Sequence, residues 1–457
     1  MLFGGRVILV LVLAVTSVRV ASAGDAPRVT ARAARTLTLQ RCLELAEWNY
    51  PKVRQALARL EKKRAQLDEA HTAPFSRFSA TAGAGLAPTV RGTNVFSPNS
   101  DVSLSSNMAF AWQFGVQGVV PLWTFGKIES LWDAAEAQVG VGEHEVKKER
   151  NDVRLAVREA YYGAQLAHDS AYLVQSALKR LGTYIANLEQ GVRDGSGDDI
   201  ELVKVKMYSA ELEARESEAL RQHRIALLGL RFLTGVKGEV ALPDEPLRRL
   251  PHSLGPVERY LAAARLFRPE INMARAGVLA RSAQLGLSRA RHFPDFGLAL
   301  SASFTRAPEV TDQRNPFVRD PGNVSSYGAG LVLHWELDFL PQAARVAQAR
   351  AELEEMRATE RLALGGVAVE VEKAFAQARD ADRRLDALSR ATELAKQWLI
   401  KVQQGIDVGT MEDEDLVDPT KEYALKRFAR MSAVYDYNLA MAKLAQVTGW
   451  DAVLAGE

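Results

Sequence analysis

The chain has 457 residues, of which 58 are basic and 56 acidic, for a net charge of +2. That balance excludes the broad basic face that nucleic-acid binding requires, and plentiful Ala with only 7% aromatic residues favours helix. A single cysteine, Cys42, excludes an internal disulfide, so packing or oligomerisation must hold the fold.

In chain order, Arg6 precedes an apolar run from Val7 to Val15, followed by Ala21-Ser22-Ala23. This predicts a cleaved export signal over residues 1–23. After residue 24 no run of 18 apolar residues occurs, so no membrane-spanning helix is expected.

A first structural repeat is expected over 24–249. It opens with a short helix (Leu39 to Tyr50), broken by Pro51, and a helix of 22 residues follows. Two segments then alternate with period 2: Phe78 to Ala84, and Met108 to Val120, with a polar loop from Pro88 to Asn107. A very long helix runs to Gly191, and a return helix closes at Thr234-Gly235. A second repeat over 250–449 has the same order. Its parts are a helix from Val257 to Arg268, a helix after Pro269, strands at Asp295 to Phe304 and Tyr327 to Phe339, a loop from Arg306 to Ser326, a helix to Gly405 and a return helix closing at Thr448-Gly449. Residues 450–457 form a tail.

The halves overlay at an offset of 214 residues without a gap over more than 100 positions. Phe125 falls on Phe339, Val157 on Val371, Gly191 on Gly405, Gly195 on Gly409 and Gly235 on Gly449. Glycines kept in register mark a duplication, not a chance likeness of two helical sequences. Apolar residues in the first long helix recur at 4-3 spacing from Val153 through Val157, Ala160 and Ala164 to Leu188. The equivalents from Val367 to Val402 are apolar except Thr392. A period of 3.5 predicts helices paired as coiled coils. The 64 residues from Lys127 to Gln190 would span about 95 Å, nearly matched by the two shorter helices stacked end to end.

The alternating segments are long enough to cross a bilayer when tilted. Four strands cannot close a barrel, and an open sheet cannot lie in lipid with unpaired edges. Either the sheet is soluble or several chains pool strands; three chains would give twelve.

Near the C-terminus an acidic block holds Glu412, Asp413, Glu414, Asp415 and Asp418, with no Lys or Arg between Gly405 and Thr420. Asp415 and Asp418 are three apart and would share a helix face. Asp418 before Pro419 also reads as a helix N-cap, and the two roles are compatible. The twin turn, Asp194 to Asp199, lacks the Glu a calcium loop needs at its twelfth position, where Val205 stands. The seven His are scattered without metal spacing, and no phosphate-binding loop occurs, so no catalytic site, metal or cofactor is expected.

Together the duplicated unit, Pro121-Leu122 before the first long helix, the Thr-Gly closures, and Gly409-Thr410 followed by Asp415-Leu416-Val417-Asp418 resemble the outer-membrane efflux protein (TolC-like) family. The resemblance covers about Thr36 to Gly449. It implies a mainly α fold with a β-barrel part: a homotrimer with a 12-stranded outer-membrane barrel continued by a 12-helix α-barrel in the periplasm. Such a protein is the exit duct of a tripartite efflux pump or type I secretion system. Its partners would be a periplasmic adaptor and an inner-membrane transporter. Gly191, Gly195, Gly405 and Gly409 would then mark the hairpin tips. Asp415 and Asp418, widened by Glu412, Asp413 and Glu414, would ring the closed entrance, repel one another and favour cations. Arg193 or Lys204 would latch onto the acidic tip, and Glu201 stands where Asp415 stands in its twin. The alternative is a periplasmic adaptor with a coiled-coil hairpin. Two in-register hairpins and four long strands count against it.

Overall fold

The computed structural model describes residues 35–451 except 76, 92–102, 195–197, 253, 312–316, 318 and 321. The expected export signal, Gly195 and parts of both polar loops lie outside the described residues.

The chain begins with a short strand, β1 (Arg35–Thr36), and the helix α1 (Leu39–Asn49). Thr38 caps α1 by accepting from the Arg41 amide. Tyr50 is extended because Pro51 follows it, and α2 (Pro51–Thr72) starts on that proline. Two strands follow, β2 (Phe78–Arg91) and β3 (Ser103–Trp123). Then come the 67-residue α3 (Lys127–Arg193) and the return helix α4 (Asp199–Thr234). A strand, β4 (Val240–Ala241), pairs in parallel with β1.

The second half repeats these pieces. The helices α5 (Val257–Phe267) and α6 (Pro269–Ala290) have the same 11 and 22 residues as α1 and α2. The strands β5 (Asp295–Arg306) and β6 (Val324–His334) follow. The 69-residue α7 (Phe339–Asp407), a 3-10 turn (Asp413–Leu416) and α8 (Val417–Thr448) complete the chain.

Each long helix is backed by two short ones. Against α3, the indole of Trp132 donates to Ala70 of α2 near one end, and Glu189 pairs with Lys206 of α4 near the other. The expected 4-3 stripe is the packed seam: Val153, Val157 and Ala164 are buried in one rod, Val371, Ala374 and Ala378 in the other. Thr392, the polar exception, donates its hydroxyl to Leu388 O and across the hairpin to Lys426 O. The Thr-Gly closures also acquire a reason. Gly235 and Gly449 both have φ near +67°, where a Cβ is strained. A Cβ on Gly449 would lie 2.6 Å from Phe267 O, and one on Gly235 2.9 Å from Asn49 Cβ. Each return helix thus ends in contact with the break between the two short helices.

The segment between the halves straps the two hairpins together. Leu247 N donates to Asp169 of α3, and Arg249 pairs with Asp382 and Asp386 of α7. Asn438 of α8, fully buried, accepts from Leu250 N at 3.0 Å and donates to Arg248 O at 2.8 Å. Cys42 is buried nearby in the first core, which pushes its thiol up to about 11 and keeps it protonated.

The four long strands form one antiparallel sheet in the order β2-β3-β5-β6. Both ends of β3 and β6, and the loop ends of β2 and β5, differ from the sequence expectation. Pro88 is paired with Met108, so β2 and β3 run further into the polar loop than the alternation alone predicts. The fourth strand stops at His334, and Phe339 is the first residue of α7. Trp335 leaves the ladder because its indole donates to His292 O and its ring meets Phe339 edge-on.

Candidate functional site

Two regions of the molecule are built for something beyond packing: the sheet and the hairpin tips. In the sheet, register sorts the side chains. Ala82 faces Phe114, which faces Phe304; Val116 faces Ala302, which faces Tyr327; Leu298 faces Leu331. Directly opposed residues share a face, so the paired aromatic and leucine positions of the four strands fall on one side. The other side carries Ser79, Gln113, Gln117, Ser301, Ser303 and Ser326, the last two joined by a 2.7 Å hydroxyl contact. The apolar side is open: Tyr327 is 92% and Leu331 83% exposed. Gly118 lets the Phe78 ring lie on the backbone, since a Cβ there would meet it at 2.3 Å. In one chain β2 and β6 are edges, each with a row of unpaired backbone groups.

At the first tip, Asp198 caps α4 by accepting from Ile200 N at 2.8 Å. Glu201 is buried and accepts from Lys204 at 3.1 Å, while its other oxygen has no partner among the described residues. Hydrogen bonding to Glu201 raises the Lys204 ammonium above its ordinary value, and the carboxylate of Asp418 adds to that. Lys204 therefore lies within electrostatic reach of the second hairpin. Arg193 folds back to donate to Glu189 O at 3.0 Å. Glu189 is held below the usual carboxylate range, chiefly by its hydrogen bond from Lys206. Among the described residues, neither Arg193 nor Lys204 ion-pairs with the acidic block within one chain.

At the second tip the last turn of α7 is closed by Thr410, whose amide and hydroxyl both donate to Gly405 O. Gly409, at φ +76°, makes that reversal possible. Gly405 makes room for Met411: a Cβ there would lie 2.8 Å from its sulfur. Asp415 Oδ2 accepts from Glu412 N at 3.0 Å, so this carboxylate ties its own turn as well as carrying charge. Asp418 makes no cap hydrogen bond and is helical, contrary to the N-cap expectation. The preceding 3-10 turn orders the backbone early, and Pro419 is tolerated because first-turn amides lack intrahelical acceptors. Glu412, Asp415 and Asp418 are exposed; the side chains of Asp413 and Glu414 lie outside the described set.

One contact between the two tips was not singled out from the sequence. The ammonium of Lys421 on α8 lies over the ring of Tyr208 on α4. The available signal was a lone aromatic residue in the first three turns of α4, where the rest are aliphatic or charged.

Comparison with known proteins bears on this geometry. The family described as "Outer membrane efflux protein" matches residues 42–236 and again 261–450, one match per half of the duplication. Protein CyaE of Bordetella pertussis is 25% identical over 359 residues, which is 76% of this chain and 70% of that protein. Among solved structures, a membrane protein from Pseudomonas aeruginosa superposes with a TM-score of 0.71 at 21% identity, covering 90% of this chain and 93% of that one. The Campylobacter jejuni CmeC outer membrane channel gives 0.71 at 15% identity over 90% and 85% of the two chains. The open state of the Neisseria gonorrhoeae MtrE outer membrane channel gives 0.71 at 18% identity over 90% and 88%.

Proposed function

The chain belongs to the outer membrane efflux protein family, and on that premise we propose how this outer-membrane exit duct is completed and gated. Three copies close a 12-stranded barrel in the outer membrane, four strands from each chain. Below it, four helices per copy at each level make a 12-helix tube through the periplasm. The observation that carries this reading is the sheet itself. Its apolar side is continuous across four strands, and its edges are unpaired. Lipid cannot satisfy open edges, so neighbouring copies must. The exposed apolar rows on the outer helices support the same assembly: Ile200, Val203 and Met207 on α4, and Leu362, Val369 and Leu394 on α7. They are the faces that adjoining copies would cover.

The duct is passive. A periplasmic adaptor engages it, and an inner-membrane transporter of an efflux pump or type I secretion system supplies the energy. At the hairpin tips the threefold axis gathers Glu412, Asp415 and Asp418 into a negative collar that favours cations. Lys204, paired with Glu201 on its own helix and within the field of the Asp418 carboxylate, serves as the latch between hairpins. Arg193, turned back on its own helix, is the weaker candidate. The adaptor alternative is set aside, because an adaptor does not account for two matched halves of this family or for an open, one-sidedly apolar sheet.

Protein extracted from outer membranes with detergent tests this. The expected result is a trimer by light scattering and discrete conductance steps in planar bilayers. A soluble monomer with no conductance would overturn the proposal.

A further inference from the structure

The lower rim of the sheet is two-sided in a way the duct alone does not require. On the apolar side, Phe125 stacks on Phe293 at 5.2 Å and stands 6.2 Å from Phe296, with Trp123 edge-on to it. Aromatic rings clustered at this level mark the membrane boundary. On the opposite side, Asp295 and His334 face one another in register. They line a recess of about 540 Å³ together with Arg77, Lys127, Arg291, Arg345 and Glu336. Asp295 shares its face with Ser301 and Ser303, not with the aromatic residues.

Four cations therefore meet two carboxylates in one recess, an excess of two positive charges per chain. Their commitments differ. Lys127 is engaged, donating to Asp295 at 2.8 Å and to Phe293 O at 2.8 Å. Arg345 donates to Gln342 at 3.1 Å. Among the described residues, the guanidinium groups of Arg77 and Arg291 make no hydrogen bond or ion pair. A fork of five donors left free beside a like-charged neighbour is suited to carboxylate or phosphate.

We propose that this recess is an anion-binding collar on the inner wall of the duct, where the helices pass into the barrel. Its ligand is a phosphate- or carboxylate-bearing group of the exported cargo. The proposal rests on the duct reading for its placement in the lumen and for its threefold repetition. Cargo leaving the negative tip would then meet a positive ring before the barrel. The two zones have opposite sign and lie at opposite ends of helices of 67 and 69 residues.

The test uses the full-length protein in neutral detergent and inorganic tripolyphosphate as the probe, followed by calorimetry. The native protein should bind the probe, and added salt should weaken it. Arg77→Gln/Arg291→Gln should bind at least about tenfold more weakly, because both guanidinium groups that offer free charge-assisted donors to the anion are lost. Arg215→Gln, an exposed change on α4, should match the native protein. No binding by the native protein, or equal binding by the double variant, overturns the collar. Competition by a short-chain anionic phospholipid as strong as by free tripolyphosphate would place the recess against lipid and overturn the cargo assignment. Bilayer conductance separates the two levels of the argument. A duct without the collar conducts and is not blocked by the probe; a protein that is not a duct gives no conductance, whatever the recess binds.

Discussion

The Lys421 ammonium stands 4.8 Å from the centroid of the Tyr208 ring, and this contact joins the tips of the two hairpins. The duplication did not copy it, because the residue 214 positions after Tyr208 is Glu422. A cation over an exposed ring contributes about 0.5–1 kcal/mol. Tyr208→Ala should therefore raise the open-to-closed ratio of single channels by up to about fivefold, while Tyr208→Phe, which keeps the ring, should not. Single-channel recordings read this directly.

Charge and turn geometry can be separated at the acidic tip. Asp415→Asn keeps an oxygen that can accept from Glu412 N, so the turn survives and only charge is lost. The double variant Asp415→Asn/Asp418→Asn should lower cation selectivity, seen as a reversal-potential shift in a salt gradient, without loss of thermal stability. Asp415→Ala should lower selectivity and also cost about 1 kcal/mol of local stability, as loss of a cap does.

In the sheet, Gly118→Ala should impair assembly. The added methyl would sit 2.3 Å from the Phe78 ring and must drive it off the strand. Such overpacking costs about 1–3 kcal/mol. The expected outcome is a smaller fraction of trimer surviving unheated electrophoresis in detergent. Gly85→Ala, with open space around its Cβ, is the control.

The His168 and His223 rings lie 5.7 Å apart between α3 and α4. Burial, and then the neighbouring His168, lower His223 from its ordinary 6.5. The folded protein thus takes up fewer protons here than the unfolded chain. Stability is complete above about pH 6.5 and falls as the pH drops from there through the lowered folded value. Thermal unfolding should show this acid slope, and His223→Gln should flatten it.

Asn438→Ala should destabilise the strap between the hairpins. It strands Leu250 N and Arg248 O, both of which now bond to Asn438. Each lost partner of a buried polar group costs about 1–3 kcal/mol. Thermal unfolding of the purified protein should move down accordingly.

What the sequence disclosed was whatever repeats or alternates. Val153 to Val174 could be read as a buried seam because 4-3 spacing leaves no other face for it, and Phe114, Ala302 and Leu331 as one surface because strand side chains alternate. Both are local properties that do not depend on where the rods stand. The contact of Lys421 with Tyr208 is of another kind. It depends on the lateral spacing of two long helices, which no spacing along one chain records. The basic recess is assembled from segments as far apart as Arg77 and Arg345. The start of α8 escaped prediction for a smaller reason: Pro419 marks a usual first position, but the 3-10 turn ahead of it carries the helix two residues further back.

The two bare edges of the sheet have a genetic consequence. In the proposed trimer each edge is finished by a different neighbour, so a lesion that spoils β2 or β6 in one copy also wastes the sound copies bound to it. Edge-strand mutants should therefore be dominant when co-expressed with the normal chain. Substitutions confined to the polar wall of the barrel, which leave the ladders intact, should be recessive.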